Sequence, residues 1–573
     1  MFLPNLLMRA RPLVAAHFQE GSVYLSEPYP ACTLFFSICN RVSRALVCHA
    51  SGNDFATAWK LGSLQAIKLA KRSNLKVVWL RIDWVTSVEA LTWSLLNVRL
   101  AETKRNYFRQ GIALDAALDK AFLEQELNAN AMLSHDNDES KSNINLENFA
   151  EYAKTRYGTN HHLDLSPLAA VYVLTTEGLF LAQDSKLDAL PGGKEPQWLP
   201  APESGAKWLA PKTLNSGRRP IKQLESEQIF SLIDSGANFL ANQLQKNGQF
   251  IYGLLPCFAR RISTYNVLRH ASSTYAMLEA WELTQRDLLL TAIRRALNYL
   301  TEQCIRDYLL PSGECVAFVI DTGDEIKLGA NAVTILALVK YTELTGDQQY
   351  QPLMEKLALG IRHMQNGPSG QFVHVLHAAD LAVKDDFRII YFDGEATFGL
   401  MRLYGLTKDG RWLAVVEKAF EYFLQADHWK AHDHWLSYCA NELTLYRPEE
   451  KYYKFGVQNI AGYLDFILNR ETTYPTLLEL SMAFAQMHGR IAKQPDMQHV
   501  LQGFDVDKFY RALHHRAHYL LNGFFWPEQS MYFAKPASIN GSFFIRHHGF
   551  RVRIDDIEHY LSGYVAYWKF VRN

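Results

Sequence analysis

The 573-residue sequence predicts a mainly α fold: a C-terminal (α/α)6 toroid preceded by a smaller α+β domain. Three observations carry that expectation. A short turn recurs at steps of about 60 residues, at Thr284, Thr345 and Thr407. Helices of two kinds alternate on either side of it. The apolar periodicity also changes near residue 225, from mixed strand and helix to helix alone. In "YTELTGDQQYQPLMEKLALGIRHM" one helical pattern runs into Leu344 and the next starts just past Thr345-Gly346-Asp347. Gly346 suits the left-handed end of a helix, and Asp347, Asp287 and Asp409 suit the start of the next. Turns this short force antiparallel helix pairs.

Residues 1–185 read as an α+β domain, with no role legible in them. "CTLFFSIC" and "RALVCHA" are strand-like, "DFATAWKLGSLQAIKLAKRS" is an amphipathic helix, and "LKVVWLRIDWV" is a buried strand. Helices are expected at about 86–104 and 115–132. "AVYVLTTEGLFLA" is expected to turn as a hairpin about Thr175, Glu177 and Gly178. "SHDNDESKSNIN" is a polar insertion. Residues 186–224, rich in Pro, Gly and Lys, read as a linker that packs through Trp198 and Trp208.

From 225 to 573 six helix pairs are expected. One set lies near 227–245, 287–305, 347–365, 409–427, 449–468 and 505–522. The other lies near 269–283, 329–345, 393–407, 433–446, 475–490 and 555–571, and is richer in small and apolar residues all round, as an inner ring would be. Extended pieces such as "SGECVAFVI", "SGQFVHVL" and "GFFWPEQSMYFAKP" separate the pairs. The floor of the resulting bowl is expected to be apolar.

Lys plus Arg and Asp plus Glu both number 59, so bulk charge argues against a nucleic-acid partner. Seven scattered cysteines without a Cys-x-x-Cys fit a reducing compartment. No signal peptide and no membrane span is read, so the expected location is cytoplasmic. There is no P-loop, G-x-G-x-x-G or G-x-S-x-G, and no cofactor is expected. His432-x-His434 with Asp433 is the one candidate metal set. Two histidines at a helix start need not converge, and no metal is expected.

Closing the ring brings the inner-helix N-termini to one mouth. Counting back 14 residues from Thr284, Thr345 and Thr407 reaches His270, Asn331 and Asp393; the same count from Arg447 reaches Asp433. The fifth inner helix starts near Tyr474, and the last at Asp555-Asp556. Helix capping alone would explain Asn331, Asp433 and Asp393. It does not explain the flanking Tyr265, Arg269, Tyr391, Glu395, His434, Trp435, Arg553 and His559. Rings beside carboxylates and paired hydrogen-bonding groups suit a sugar, and two carboxylates across a cleft can cleave a glycosidic bond.

These segments, above all "YFDGEATFGLMRLYGLTKDGRWL", resemble the (α/α)6 toroids of the six-hairpin glycosidase superfamily and its relatives, the N-acylglucosamine 2-epimerases, unsaturated glucuronyl hydrolases and uronyl epimerases. The resemblance covers about 225–573 and implies a carbohydrate substrate.

The first expectation is a glycoside hydrolase of an oligo- or polysaccharide. Glu395 would pair with Asp555 or Asp556 as acid and base, with Asp393 or Asp433 in reserve. Arg269 and Arg553 would hold a sugar carboxylate, Tyr265, Tyr391 and Trp435 would stack, and Asn331, His434 and His559 would bind hydroxyls. An epimerase or lyase using His270 and His434 as bases is the nearer rival. A non-catalytic toroid that binds a glycan or a protein is the more distant one. The oligomeric state is not legible.

Overall fold

The computed structural model describes residues 2–19, 24–134, 141–158, 164–183, 195–199 and 217–572. The first part holds α1 (Phe2–Gln19), β1 (Cys32–Cys39), β2 (Leu46–Gly52), α2 (Phe55–Arg72), β3 (Trp79–Thr92), α3 (Trp93–Glu102), β4 (Gly111–Ala113), β5 (Ala121–Phe122), α4 (Glu124–Ala129), α5 (Leu146–Tyr157), β6 (Ala170–Ala182) and β7 (Gln197–Leu199). The strands form one antiparallel sheet in the order β2-β1-β3-β6-β4-β5, with β7 also on β6.

Two local expectations fail here for one reason. β3 and β6 pair along their whole lengths, from Trp79 opposite Ala182 to Thr92 opposite Ala170. The helix expected from residue 86 therefore starts only at Trp93, capped by the Thr92 side chain. The hairpin expected at Thr175–Gly178 is the middle of one continuous strand. Gly178 is there for space, since a Cβ on it would sit 2.7 Å from Asp83 Oδ1. The helix expected at 115–132 shrinks to α4. Most of the Pro/Gly-rich stretch, Trp208 included, and half of the polar insertion lie outside the described residues. Trp198 lies on β7 beside Trp84 and His17.

The second part runs α6 (Ser226–Gln243), β8 (Gly253–Leu255), β9 (Arg260–Arg261), α7 (Val267–Thr284), α8 (Asp287–Gln303), β10 (Ile305–Leu309), β11 (Cys315–Asp321), β12 (Glu325–Lys327), α9 (Leu328–Thr345), α10 (Gln351–His363), β13 (Val375–His377), β14 (Val383–Asp385), α11 (Tyr391–Thr407), α12 (Gly410–Gln425), α13 (His434–Tyr446), α14 (Glu450–Ala461), α15 (Leu464–Asn469), α16 (Thr476–Ile491), α17 (Val506–Tyr519), α18 (Pro527–Ser530), β15 (Val552–Arg553) and α19 (Ile554–Arg572). α7 packs on α9, α9 on α11, α11 on α13, α13 on α16, α16 on α19, and α19 back on α7. That is a closed ring of six. α6, α8, α10, α12, α14 and α17 cover it from outside.

The turns are as the repeat implies. α7, α9 and α11 each end on the threonine, and Gln285, Gly346 and Lys408 follow in the left-handed conformation. Asp409 caps α12 by accepting from the Arg411 N–H. The stretch "GFFWPEQSMYFAKP" differs from expectation: it forms α18 and turns instead of strand.

Contacts at both ends show that the inner helices run the same way. Near their C-termini Lys340 pairs with Glu282 at 2.8 Å, Arg402 with Glu343 at 2.6 Å and with Glu442 at 3.8 Å, and Lys569 with Glu282 at 2.7 Å. Arg490 Nη2 donates to Asn441 Oδ1 at 2.7 Å. The floor of the bowl is thus a belt of ion pairs and amides, not the apolar floor expected. The side chains that fill it are the long polar ends a helix presents to solvent beyond its last buried turn.

Inner helices approach closely where they carry glycine. A Cβ on Gly394 of α11 would lie 2.6 Å from the Leu436 nitrogen of α13, and one on Gly399 would lie 2.7 Å from the Ala332 carbonyl oxygen of α9. The sheet-bearing part rests on the loops of the mouth. Arg219 grips Glu528 through two side-chain bonds of 2.9 and 2.8 Å, Arg81 Nη1 donates to the Glu528 carbonyl at 2.8 Å, and the Thr473 N–H donates to Tyr107 Oη at 3.2 Å. Among the described residues no helix is long and apolar enough to cross a membrane.

Overpacking such a contact costs roughly 1–3 kcal/mol, which exceeds or matches the roughly 1 kcal/mol by which Ala outranks Gly in a helix interior. Gly394→Ala and Gly399→Ala are therefore expected to lower the melting temperature by calorimetry, while Gly410→Ala, at an open helix start, leaves it within a degree or so. Equal effects at all three positions would contradict the close packing of the ring.

Candidate functional site

The site is built from the first two turns of the inner helices. In α7, Asn266 caps the helix by accepting from the Arg269 N–H at 3.1 Å, and Arg269 lies over the mouth with its side chain a quarter exposed. Its Nε is 3.5 Å from Asp555 Oδ2, at the start of α19. In α11, Glu395 is buried against Gly329 of α9, whose missing side chain is what leaves room for the carboxyl. Glu395 Oε2 has no hydrogen-bond partner. Burial pushes its pKa up to about 8; Arg269 pulls it down and Asp433 adds to the rise. Glu395 therefore holds a proton at neutral pH.

Asp433 does two things at the start of α13. Its Oδ1 accepts from the Leu436 N–H at 2.9 Å, which is the capping role. Its Oδ2 lies 3.2 Å from Nδ1 of His434. The His434 Nε2 is buried and has no partner. Across the bowl, His559 Nδ1 of α19 and Glu479 Oε2 of α16 share a hydrogen bond of 2.8 Å, and that nitrogen is 3.3 Å from Glu558 Oε2. The His434 and His559 ring centroids are 5.1 Å apart. Tyr438 donates its hydroxyl to Glu479 Oε1 at 3.2 Å. Tyr391 stands edge-on to His434, with its hydroxyl 3.5 Å from that of Tyr474.

Burial raises the carboxyls of Glu479 and Glu558, and burial lowers His559 below the usual imidazole range although Glu558 opposes it. The favoured neutral-pH state has protons on buried carboxyls and a neutral His559. With Nδ1 engaged by the Glu479 carboxyl, His559 keeps its Nε2 for other partners.

The remaining expected residues lie elsewhere. His270 turns outward: its Nδ1 meets the Tyr265 hydroxyl at 2.7 Å and its Nε2 the Ala296 carbonyl of α8 at 2.9 Å. Asn331 ties α9 to β11, accepting from the Val319 N–H and donating to the Lys327 carbonyl. Trp435 is buried between helices against Phe398. Asp393 points away from Glu395, 3.4 Å from Nε2 of both His374 and His428. His374 Nδ1 accepts from the Arg388 and Ile389 N–H groups, so its Nε2 carries the proton and cannot serve a metal. Arg553 is spent on Asp555 and Asp556, each at 3.0 Å. Asp556 also faces Arg551; burial would raise it, but the two arginines win and hold it low.

His432 faces away, with Nδ1 on the Asn459 carbonyl and its ring stacked on Tyr463, so the His432-x-His434 pair does not converge. His434, Glu479 and His559 do converge, with ligand-type atoms all within 4.8 Å. Holding a cation there would break the His559–Glu479 bond. Glu479, Glu558 and Tyr438 were missed in the sequence. The signal for Glu479 was a lone carboxylate inside the apolar run "TLLELSMAF".

No protein-family model matches the sequence, and no curated protein matches it. Among solved structures, cellobiose 2-epimerase from Bacillus thermoamylovorans shares 12% identity over 60% of this chain and 99% of its own, with a TM-score of 0.44. A GH76 α-mannanase of Bacteroides thetaiotaomicron shares 9% over 61% and 99%, at 0.43. Unsaturated glucuronyl hydrolase from Streptococcus agalactiae shares 12% over 64% and 98%, at 0.43. All three are (α/α)6 six-hairpin proteins. The fold of this chain rests on its own closed ring, and these scores decide nothing about its chemistry.

The raised Glu395 makes stability depend on pH. Its folded form keeps a proton that the unfolded form loses near 4.5, so its contribution is full below about 4.5 and is lost as pH rises through about 8. Glu395→Gln, which mimics the protonated acid, is expected to flatten the fall of stability between pH 5 and 8, by up to about 1.4 kcal/mol per pH unit. Parallel denaturation curves for both proteins at every pH would contradict this.

Proposed function

We propose that this protein is a carbohydrate-active enzyme that moves a proton within a sugar, as an epimerase or isomerase does. The observation that carries the reading is the facing pair His434 and His559, each with Nδ1 beside a carboxylate and 5.1 Å apart by ring centroid. Such pairing fixes ring orientation and leaves Nε2 to exchange protons. A polyhydroxyl substrate suits walls that offer a guanidinium donor at Arg269, a protonated carboxyl at Glu395, acceptors at Asp433 and Asp555, and the ring of Tyr391.

In this mechanism one imidazole takes the proton from the carbon beside the open-chain carbonyl. The electron pair moves onto the carbonyl oxygen, where Arg269 and the Glu395 proton stabilise the developing charge. The imidazolium so formed gives its proton back to the opposite face of the same carbon once the enolate has turned, which inverts it, and the carbonyl reforms. The imidazole ends neutral as it began, so bonds and charge balance.

Glycoside hydrolysis is the second reading. It is favoured by one arrangement: Arg269 lies near both Glu395, whose carboxyl burial pushes up as a general acid needs, and Asp555, which Arg553 also flanks.

Incubation with a panel of aldoses and disaccharides in heavy water separates the two. The expected result is deuterium at the carbon next to the carbonyl, with inverted or isomerised product and no new reducing ends. His434→Asn and His559→Asn are each expected to slow it by about 10²–10⁴-fold. New reducing ends that vanish in Glu395→Gln would select hydrolysis instead.

A further inference from the structure

A second groove lies outside the ring, about 520 Å³ in volume, between α6 and the segment 535–541. Its wall on α6 is a stripe of short polar side chains: Ser231, Ser235, Asn238 and Asn242. They recur at steps of four, three and four residues, which keeps them on one helix face over about 16 Å. Ile251, Leu254 and Phe239 form an apolar floor.

Half of this polar wall is spent within the protein: Ser231 donates to the Glu227 carbonyl at 3.0 Å. Ser235 donates to the Gly541 carbonyl at 2.8 Å, but Asn238 and Asn242 make no side-chain hydrogen bond among the described residues. Asn540 accepts from Ser530 through Oδ1, which leaves its amide N–H₂ free for the groove. Asp234 is neutralised by Arg286. Arg261 and Lys535 are exposed at the rim and pair with no carboxylate among the described residues. The groove therefore offers amides and hydroxyls, an apolar floor and a net positive edge.

That chemistry fits one ligand class. Side-chain amides pair with neighbouring hydroxyls, an apolar floor takes C–H faces, and the two cations take carboxylates. The position agrees: Leu254 of β8 lies opposite Val552 of β15, one residue from the Arg553 that holds Asp555. A chain leaving the bowl over this small sheet would reach the groove. We propose that the α6 groove is an outer subsite for an acidic oligosaccharide. The proposal rests on the carbohydrate reading of the bowl.

The test uses the full-length protein and hexameric oligogalacturonate, with neutral mannohexaose as the comparison. Hydrogen–deuterium exchange is read at 231–243 and 535–541, and affinity by calorimetry. The expected result is protection of both segments by the acidic probe, about tenfold weaker binding in Asn238→Ala/Asn242→Ala, and a similar loss in Arg261→Ser/Lys535→Ser. Protection confined to the mouth, unchanged affinity in both double variants, or equal binding of the neutral probe overturns the proposal. Turnover of small sugars is measured alongside. Turnover without groove binding sinks the subsite alone, and groove binding without turnover sinks the reading of the bowl alone.

Discussion

Ring closure is the constraint on which the rest depends. Each inner helix is buried by two inner neighbours and its outer partners, so it cannot rotate or slide without opening a packed contact. α9 shows the extreme case, buried from Leu328 to Val339. With all six helices held parallel, their first turns must face one another. Polar side chains placed there have only each other, and whatever enters, as partners. The same closure that excludes water makes Glu395, Glu479 and Glu558 retain protons, because a carboxylate in such a place pays the full cost of desolvation.

The bowl is also asymmetric in a useful way. On the α19 side Arg553 and Arg551 hold Asp556 ionised, and Arg269 and Arg553 flank Asp555. On the α11 side Arg269 pulls Glu395 down and Asp433 pushes it up. Neighbouring acids are thereby split into protonated and ionised members, the condition for acid and base to act together. The sheet-bearing part contributes by position: Arg81 donates to the Glu528 carbonyl, while Arg219, just before α6, holds the Glu528 carboxylate.

The sequence shows the height of the site better than its direction. Counting from Thr284, Thr345 and Thr407 finds the right turn of each helix, because rise per residue is constant. It does not find which way a side chain points, because each residue turns about 100° from the last. Asp393 and Glu395 share a level and face apart. His270 faces outward while Arg269 beside it faces the bowl. His559, four residues after Asp555, falls on the same face for the same reason. The inner helices, richer in small and apolar residues, were legible from composition; the ion-pair belt at the floor was not, since Lys340, Glu343 and Arg402 read locally as ordinary helix-end charges. In the sheet, Gly178 looked like a turn because its partner Asp83 lies far away in sequence.

The central claim is that two imidazoles meet in the bowl, each with Nδ1 beside a carboxyl group, and that burial keeps His559 neutral. Nitrogen NMR of the protein labelled in histidine, with His434→Asn and His559→Asn used to assign signals, reads this directly. The account predicts that His559 is neutral at pH 7 and gains its second proton only below the usual imidazole range. A doubly protonated His559 at pH 7 would contradict it.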